Sequence, residues 1–133
     1  MPSTTIRWVQ GNQFVGTDSH GHSIVLTGDG KHGGIRPSQA LLIALGACSS
    51  VDVVQVLRKK RMPLSMLEVT VTGDHDQEPP WPFGKIHVHF RLKGKDLTEK
   101  AVAQAIRLAE ERYCSVTATV RGVAEITSDF EII

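Results

Sequence analysis

Residues 36 to 50 read Arg36-Pro37-Ser38-Gln39-Ala40-Leu41-Leu42-Ile43-Ala44-Leu45-Gly46-Ala47-Cys48-Ser49-Ser50. Proline is well placed in a first helical turn, so Pro37 predicts the start of a helix. Ala40, Leu41, Leu42, Ile43, Ala44, Leu45, Ala47 and Cys48 are apolar on nearly every face of it. A helix that is apolar all round is buried all round. The helix should continue to about Lys60, where the basic run Arg58-Lys59-Lys60-Arg61 and then Met62-Pro63 end it. Cations at that end complement the helix dipole, and this is the reading given to the basic run rather than a phosphate-binding patch. The apolar core of the stretch, Ala40 to Cys48, is too short to span a bilayer.

Working outward, the elements before this helix are short and extended. Thr4 to Gln10, Gln13 to Thr17 and His22 to Thr27 read as three strands, separated by Gly11-Asn12 and Asp18-Ser19-His20-Gly21. They form an antiparallel meander, joined to the helix by a Gly-rich connector over residues 28–35. That connector lacks the GxGxxG and Walker spacings of a phosphate cradle. One meander cannot surround a helix that is apolar on all sides, so a second subunit is expected to cover it.

After the helix, Leu67, Val69 and Val71 alternate with Glu68, Thr70 and Thr72 as a fourth strand. A proline-rich loop spans Asp74 to Gly84. Lys85 to Leu92 then alternates, with Ile86, Val88, Phe90 and Leu92 inward. Asp96-Leu97-Thr98-Glu99 fits a capping box with Asp96 as the cap. The second helix runs to about Arg112, with Val102, Ala105, Ile106 and Ala109 on one face. Cys114 comes just past its end, Ser115 caps a further short turn, and Ala124 to Ile132 is the last strand. The expected fold class is α+β, in a single domain over residues 1–133.

Composition narrows the function. With 41% hydrophobic and 22% charged residues, the chain is an ordinary globular one rather than a disordered one. A formal charge of +1 lacks the basic excess of a nucleic-acid binder. Met1-Pro2-Ser3-Thr4-Thr5 is polar and does not have the form of a secretory signal, so a reducing, cytoplasmic setting and no membrane are expected. In that setting a cysteine pair is more often catalytic, redox-active or metal-binding than a structural staple. Cys48 and Cys114 form no CxxC and have no zinc spacing with histidine, so no metal is expected. An inert buried thiol remains the commonest fate of any single cysteine. Of His20, His22, His32, His75, His87 and His89, only His87 and His89 share a strand face, and they read as solvated. Trp81 and Phe83 read as packing anchors of the proline-rich loop, or else as walls of an apolar pocket.

The segment Arg36 to Ser50 resembles the central-helix signature of the OsmC/Ohr family of organic-hydroperoxide reductases. Glu111-Arg112-Tyr113-Cys114-Ser115-Val116 is similar to the family's second cysteine motif. The order of elements matches over nearly the whole chain, and Arg7-Trp8-Val9 with Val51-Asp52-Val53-Val54 looks most like a YhfA-like branch. The resemblance implies an intertwined homodimer, with antiparallel sheets wrapped around long central helices. It also implies a small organic hydroperoxide as substrate, an external dithiol as reductant, and no bound cofactor. Cys48 would form a sulfenic acid and Cys114 would condense with it to a disulfide. A cation lowers the pKa of the attacking thiol in the characterised members: an arginine oriented by a glutamate.

This chain departs from that pattern. Ser38 stands where the glutamate is placed, ten residues before Cys48, and no carboxylate lies between Asp29 and Asp52. Arg36 and Arg7 are the two candidate arginines. Twelve residues of helix rise separate Arg36 from Cys48, about 18 Å at about 1.5 Å per residue. Arg36 is therefore expected to serve the cysteine of an antiparallel partner helix. Asp52, one turn after Cys48 on the same face, either takes over the glutamate's role or bonds a neighbouring polar group. The other functional reading is a non-catalytic redox-sensing or small-ligand-binding dimer.

Overall fold

The computed structural model describes every residue except His32, so what was expected of that histidine lies outside the described residues. Two compact units divide the chain, residues 1–41 and residues 42–133.

The first unit is the expected meander. β1 (Thr5–Gln10), β2 (Gln13–Thr17) and β3 (Ser23–Thr27) pair antiparallel in that order. Gly11 supplies the left-handed φ of +51° that the first turn needs. Asp18 closes the second turn by accepting the backbone N–H groups of His20 and His22, both at 2.9 Å. These bonds hold its carboxyl below the usual range. The connector returns to the sheet where Ile35 bridges Leu26.

The second unit holds the core. α1 (Pro37–Lys59) crosses into it and ends where expected, with Arg58 and Lys59 in its last turn and Arg61 left-handed just beyond. β4 (Leu64–His75) and β5 (Phe83–Gly94) are longer than the sequence pattern predicts, so the intervening loop shortens to residues 76–82. Phe83 joins the core and stacks on His75 at 4.2 Å, whereas Trp81 stays exposed. Ile86, Val88, Phe90 and Leu92 all point into the core, as their alternation requires. α2 (Glu99–Leu108) buries Val102, Ala105 and Ile106.

Two expectations are corrected. The second sheet is mixed: β6 (Glu125–Ile132) runs parallel to β5, which itself is antiparallel to β4. A strand that returns through a helical crossover comes back in the same direction, and α2 supplies that crossover. The cap of α2 is Thr98, whose hydroxyl accepts the Ala101 N–H at 3.1 Å. Asp96 instead occupies a left-handed turn position, with φ +61°.

On length and composition α1 could cross a membrane, with a mean hydropathy of 2.0 in its most apolar stretch. An 18-residue stretch of the helix, longer than Ala40 to Cys48, carries that character. It is a core helix, because Leu45, Val53 and Leu57 lie in the cluster with β5 and α2. Its buried stripe is Leu45, Gly46, Ser49, Val53 and Leu57. Ile43 and Val51, on its other side, are each 55% exposed in the single chain.

Gly46 sets how closely α1 lies on the sheet. A Cβ there would meet Val71 Cγ2 at 2.7 Å. Alanine gains about 1 kcal/mol of helix propensity over glycine. Overpacking costs about 1–3 kcal/mol, and a β-branched valine cannot easily swing aside. Gly46→Ala is therefore expected to lower stability by about 1 kcal/mol in urea unfolding. Gly122→Ala, whose Cβ meets nothing within 4 Å, should leave stability unchanged.

Candidate functional site

Both thiols come to one place in the second unit. Cys48 sits on α1, half-buried, next to the buried Ser49. Cys114 is only 2% exposed. The regular part of α2 stops at Leu108, and residues Ala109–Tyr113 form one wider π turn in which the Cys114 N–H reaches Ala109 O at 2.8 Å. Such turns insert an extra residue and recur at functional sites. Cys114 then leaves the helix in an extended conformation and caps α3 (Ser115–Val120). The cap is thus Cys114 and not Ser115. Its Sγ accepts the Thr117 N–H at 3.3 Å and the Thr117 hydroxyl at 3.1 Å.

The two thiols lie near enough for each to shift the other's pKa, and both are free. Their electrostatic surroundings differ. Burial pushes the Cys114 thiol up, but the donors around it outweigh burial and hold it below the ordinary value. These donors are the Cys48 thiol, the Thr117 hydroxyl and N–H, and the Ser49 hydroxyl. Burial pushes the Cys48 thiol up, and the neighbouring Cys114 raises it further. The N–H groups of Val116 and Ser115 pull it back only in part. Within this chain, the surroundings of Cys114 favour its charged form more than those of Cys48 do.

The remaining expected site residues are placed as follows. Asp52 is half-buried on α1, and burial alone pushes its carboxyl up. Its carboxylate has no hydrogen bond or ion pair within residues 42–133. It opens on a cleft of about 370 Å³ shared with Lys59, Lys60, Gln104 and Tyr113. Arg7 and Arg36 belong to the first unit, and both are exposed. The Arg36 side chain lies along Gly30, where a Cβ would meet its Cδ at 3.3 Å. Thr117 and Ser49 are site residues that the sequence reading passed over. The signal for Thr117 was present: Cys114-x-x-Thr117 has the spacing of a cap and the residue that it caps.

His87 and His89 are bonded rather than simply solvated. Asp129 Oδ1 bridges His87 Nε2 and His89 Nδ1, each at 2.7 Å, and Glu131 joins His89 to Arg91. Among the described residues no group of three or more His, Cys, Asp or Glu side chains is arranged to hold a metal ion.

A profile of the OsmC-like protein family matches residues 28–129. The chain is also 36% identical to the protein YhfA of Escherichia coli over 128 residues, 96% of each chain. The chain belongs to the OsmC-like family. Its fold matches the crystal structure of an OsmC-like protein from Mycoplasma pneumoniae with a TM-score of 0.86 at 19% identity, covering 100% of this chain and 97% of that one. It matches the organic hydroperoxide resistance protein OhrB of Bacillus subtilis with a TM-score of 0.67 at 17% identity, covering 98% of each. The two sheets and long helix described above are the OsmC-like fold.

The histidine ladder gives a direct test of the electrostatics. Asp129 first, and then Glu131, hold His89 above its ordinary value, while His89 and His87 hold Asp129 below its own. A raised histidine stabilises fully below its unfolded pKa, and that contribution fades as pH rises through the folded value. A lowered carboxyl stabilises above its unfolded pKa, and its contribution fades as pH falls through the folded value. The ladder is complete only between those limits, and its exposure keeps it weak. NMR titration should place His89 above a free histidine, and Asp129→Asn should bring it down.

Proposed function

We propose that this OsmC-like chain is a dithiol peroxidase that reduces organic hydroperoxides. The carrying observation is the pairing of a half-exposed thiol, Cys48, with a buried, hydrogen-bonded thiol, Cys114, in one chain. Cys48 sulfur attacks the distal oxygen of the hydroperoxide. The O–O bond breaks, leaving Cys48 as a sulfenic acid and the substrate as an alcohol. Cys114 sulfur then attacks Cys48 sulfur, the S–O bond breaks, and the oxygen leaves as water. An external dithiol returns the disulfide to two thiols. The likeness to the OhrB fold and membership of the family support this chemistry. No metal or organic cofactor is required, and the setting is the reducing cytoplasm.

The active form in this reading is a homodimer. The exposed side of α1, with Ile43 and Val51 each 55% exposed, is the surface that a second copy covers. Asp52 and one of Arg36 or Arg7 would complete the site there, through the partner chain. A second reading, a redox-sensing or ligand-binding dimer, is favoured by one observation: Ser38 replaces the glutamate that orients the arginine in characterised members.

Reduced protein mixed with an organic hydroperoxide should consume it, and Cys48→Ser should abolish consumption. Cys114→Ser should stop at a Cys48 sulfenic acid that dimedone traps. Peroxide-inert thiols in the wild-type protein would exclude the peroxidase and leave the second reading. Sedimentation should give a dimer, and Val51→Glu should shift it to monomer; an unchanged mass for that variant would place the interface elsewhere.

A further inference from the structure

We propose that the cleft between α2 and β6 is a binding site for an α-amino acid with an apolar side chain, in which Arg107 takes the carboxylate and Glu110 the ammonium. The site uses no residue of α1 and does not depend on the dithiol chemistry proposed above.

The cleft holds about 330 Å³. That is the small end of the range for small-molecule sites, and it suits a ligand of amino-acid size. Its apolar members are Ile106 of α2 and Phe130 of β6, and Arg107, Glu110, Ser128 and Asp129 line it too. Asp129 is already engaged by His87 and His89. β6 is an end strand of its sheet, so among the described residues no further strand closes the cleft on that side.

Arg107 and Glu110 are an unusual pair. Residues three apart on a helix are neighbours, and opposite charges at that spacing ordinarily attract one another into contact. Among the described residues neither side chain makes an ion pair or a hydrogen bond. One oxygen of Glu110 is closed off from water without any partner. Such oxygens are uncommon in folded proteins, because each loses its hydration and gains no bond. Glu110 also sits in the π turn that ends α2, where a carboxylate opposes the helix dipole. Two unfavourable effects therefore fall on one side chain, and no contact within residues 42–133 offsets them. Local rules of stability are broken in this way at functional sites.

A ligand that answers both groups carries a cation for Glu110 and an anion for Arg107. A guanidinium takes a carboxylate through two parallel N–H donors. An ammonium brings three donors to a carboxylate that has none. An α-amino acid carries both charges on one skeleton short enough for this cleft, and Ile106 and Phe130 favour an apolar side chain on it. A plain carboxylic acid would leave Glu110 without a donor. A plain amine would leave Arg107 without an acceptor.

Amide NMR of the whole protein, titrated with leucine, methionine and phenylalanine at millimolar concentrations, reads the site. At least one of them should shift the signals of Ser128 and Phe130 saturably. For whichever binds, the analogue without the amino group and the analogue amidated at the carboxylate should both bind far more weakly. Glu110→Gln and Arg107→Gln should each weaken binding about tenfold, the loss of one charge-assisted hydrogen bond. Glu110→Met should weaken it at least as much, yet leave the urea midpoint of the ligand-free protein unchanged or higher, because it removes an unpartnered carboxylate. No saturable shift with any of the three amino acids would overturn the proposal, as would equal binding of either analogue or binding that survives both glutamine variants. A lowered urea midpoint for Glu110→Met would also overturn it, by giving Glu110 a structural task instead.

Discussion

The seating of one stripe of α1 on the second sheet is the constraint on which the thiol pair depends. Leu45, Val53 and Leu57 bind that stripe to β5 and α2 through apolar burial, the non-directional term that dominates folding. Gly46 lets the helix lie against Val71 of β4, and Ser49 enters the same buried line. Cys48 stands beside this stripe, at its edge, which is why its sulfur is half-buried while Ser49 is enclosed. A rotation of the helix by one residue would exchange those environments. The placement of Cys48 is therefore a consequence of core packing.

The partner sulfur is delivered by a different device. α2 is amphipathic and ends its regular turns at Leu108, and the π turn Ala109–Tyr113 shifts the exit of the chain by one residue. Cys114 then becomes a cap. A cap position brings backbone donors to whatever atom fills it. With sulfur there, the same hydrogen bond that starts a short helix also reaches a thiol and favours its charged form. Structure and chemistry share one contact, so a substitution at Thr117 acts on both.

Much of this was legible in the sequence. The all-apolar run from Ala40 to Cys48 placed the central helix, and the strict alternation of Ile86, Val88, Phe90 and Leu92 placed the core strand. The spacing of turn residues gave the meander. The two cysteines, with their flanking motifs, pointed to the OsmC-like family to which the chain belongs. What stayed hidden has physical reasons. Strand direction in β6 depends on a crossover and leaves no mark on its own residues. The choice of Thr98 over Asp96 as a cap turns on one backbone angle. A π turn has no residue signature, so the end of α2 and the cap at Cys114 could not be placed. Asp52 and the arginines belong to a site whose charged members, in the dimer reading, come from two chains.

The central claim is that Cys48 and Cys114 of the same chain act as one redox unit. Mild oxidation of the reduced protein with diamide, followed by intact mass and peptide mapping under non-reducing, denaturing conditions, tests it most directly. The account predicts that each chain loses two hydrogens and that a single Cys48–Cys114 cross-linked peptide appears within one chain. Disulfide-linked pairs of chains, or two thiols that survive oxidation, would contradict it.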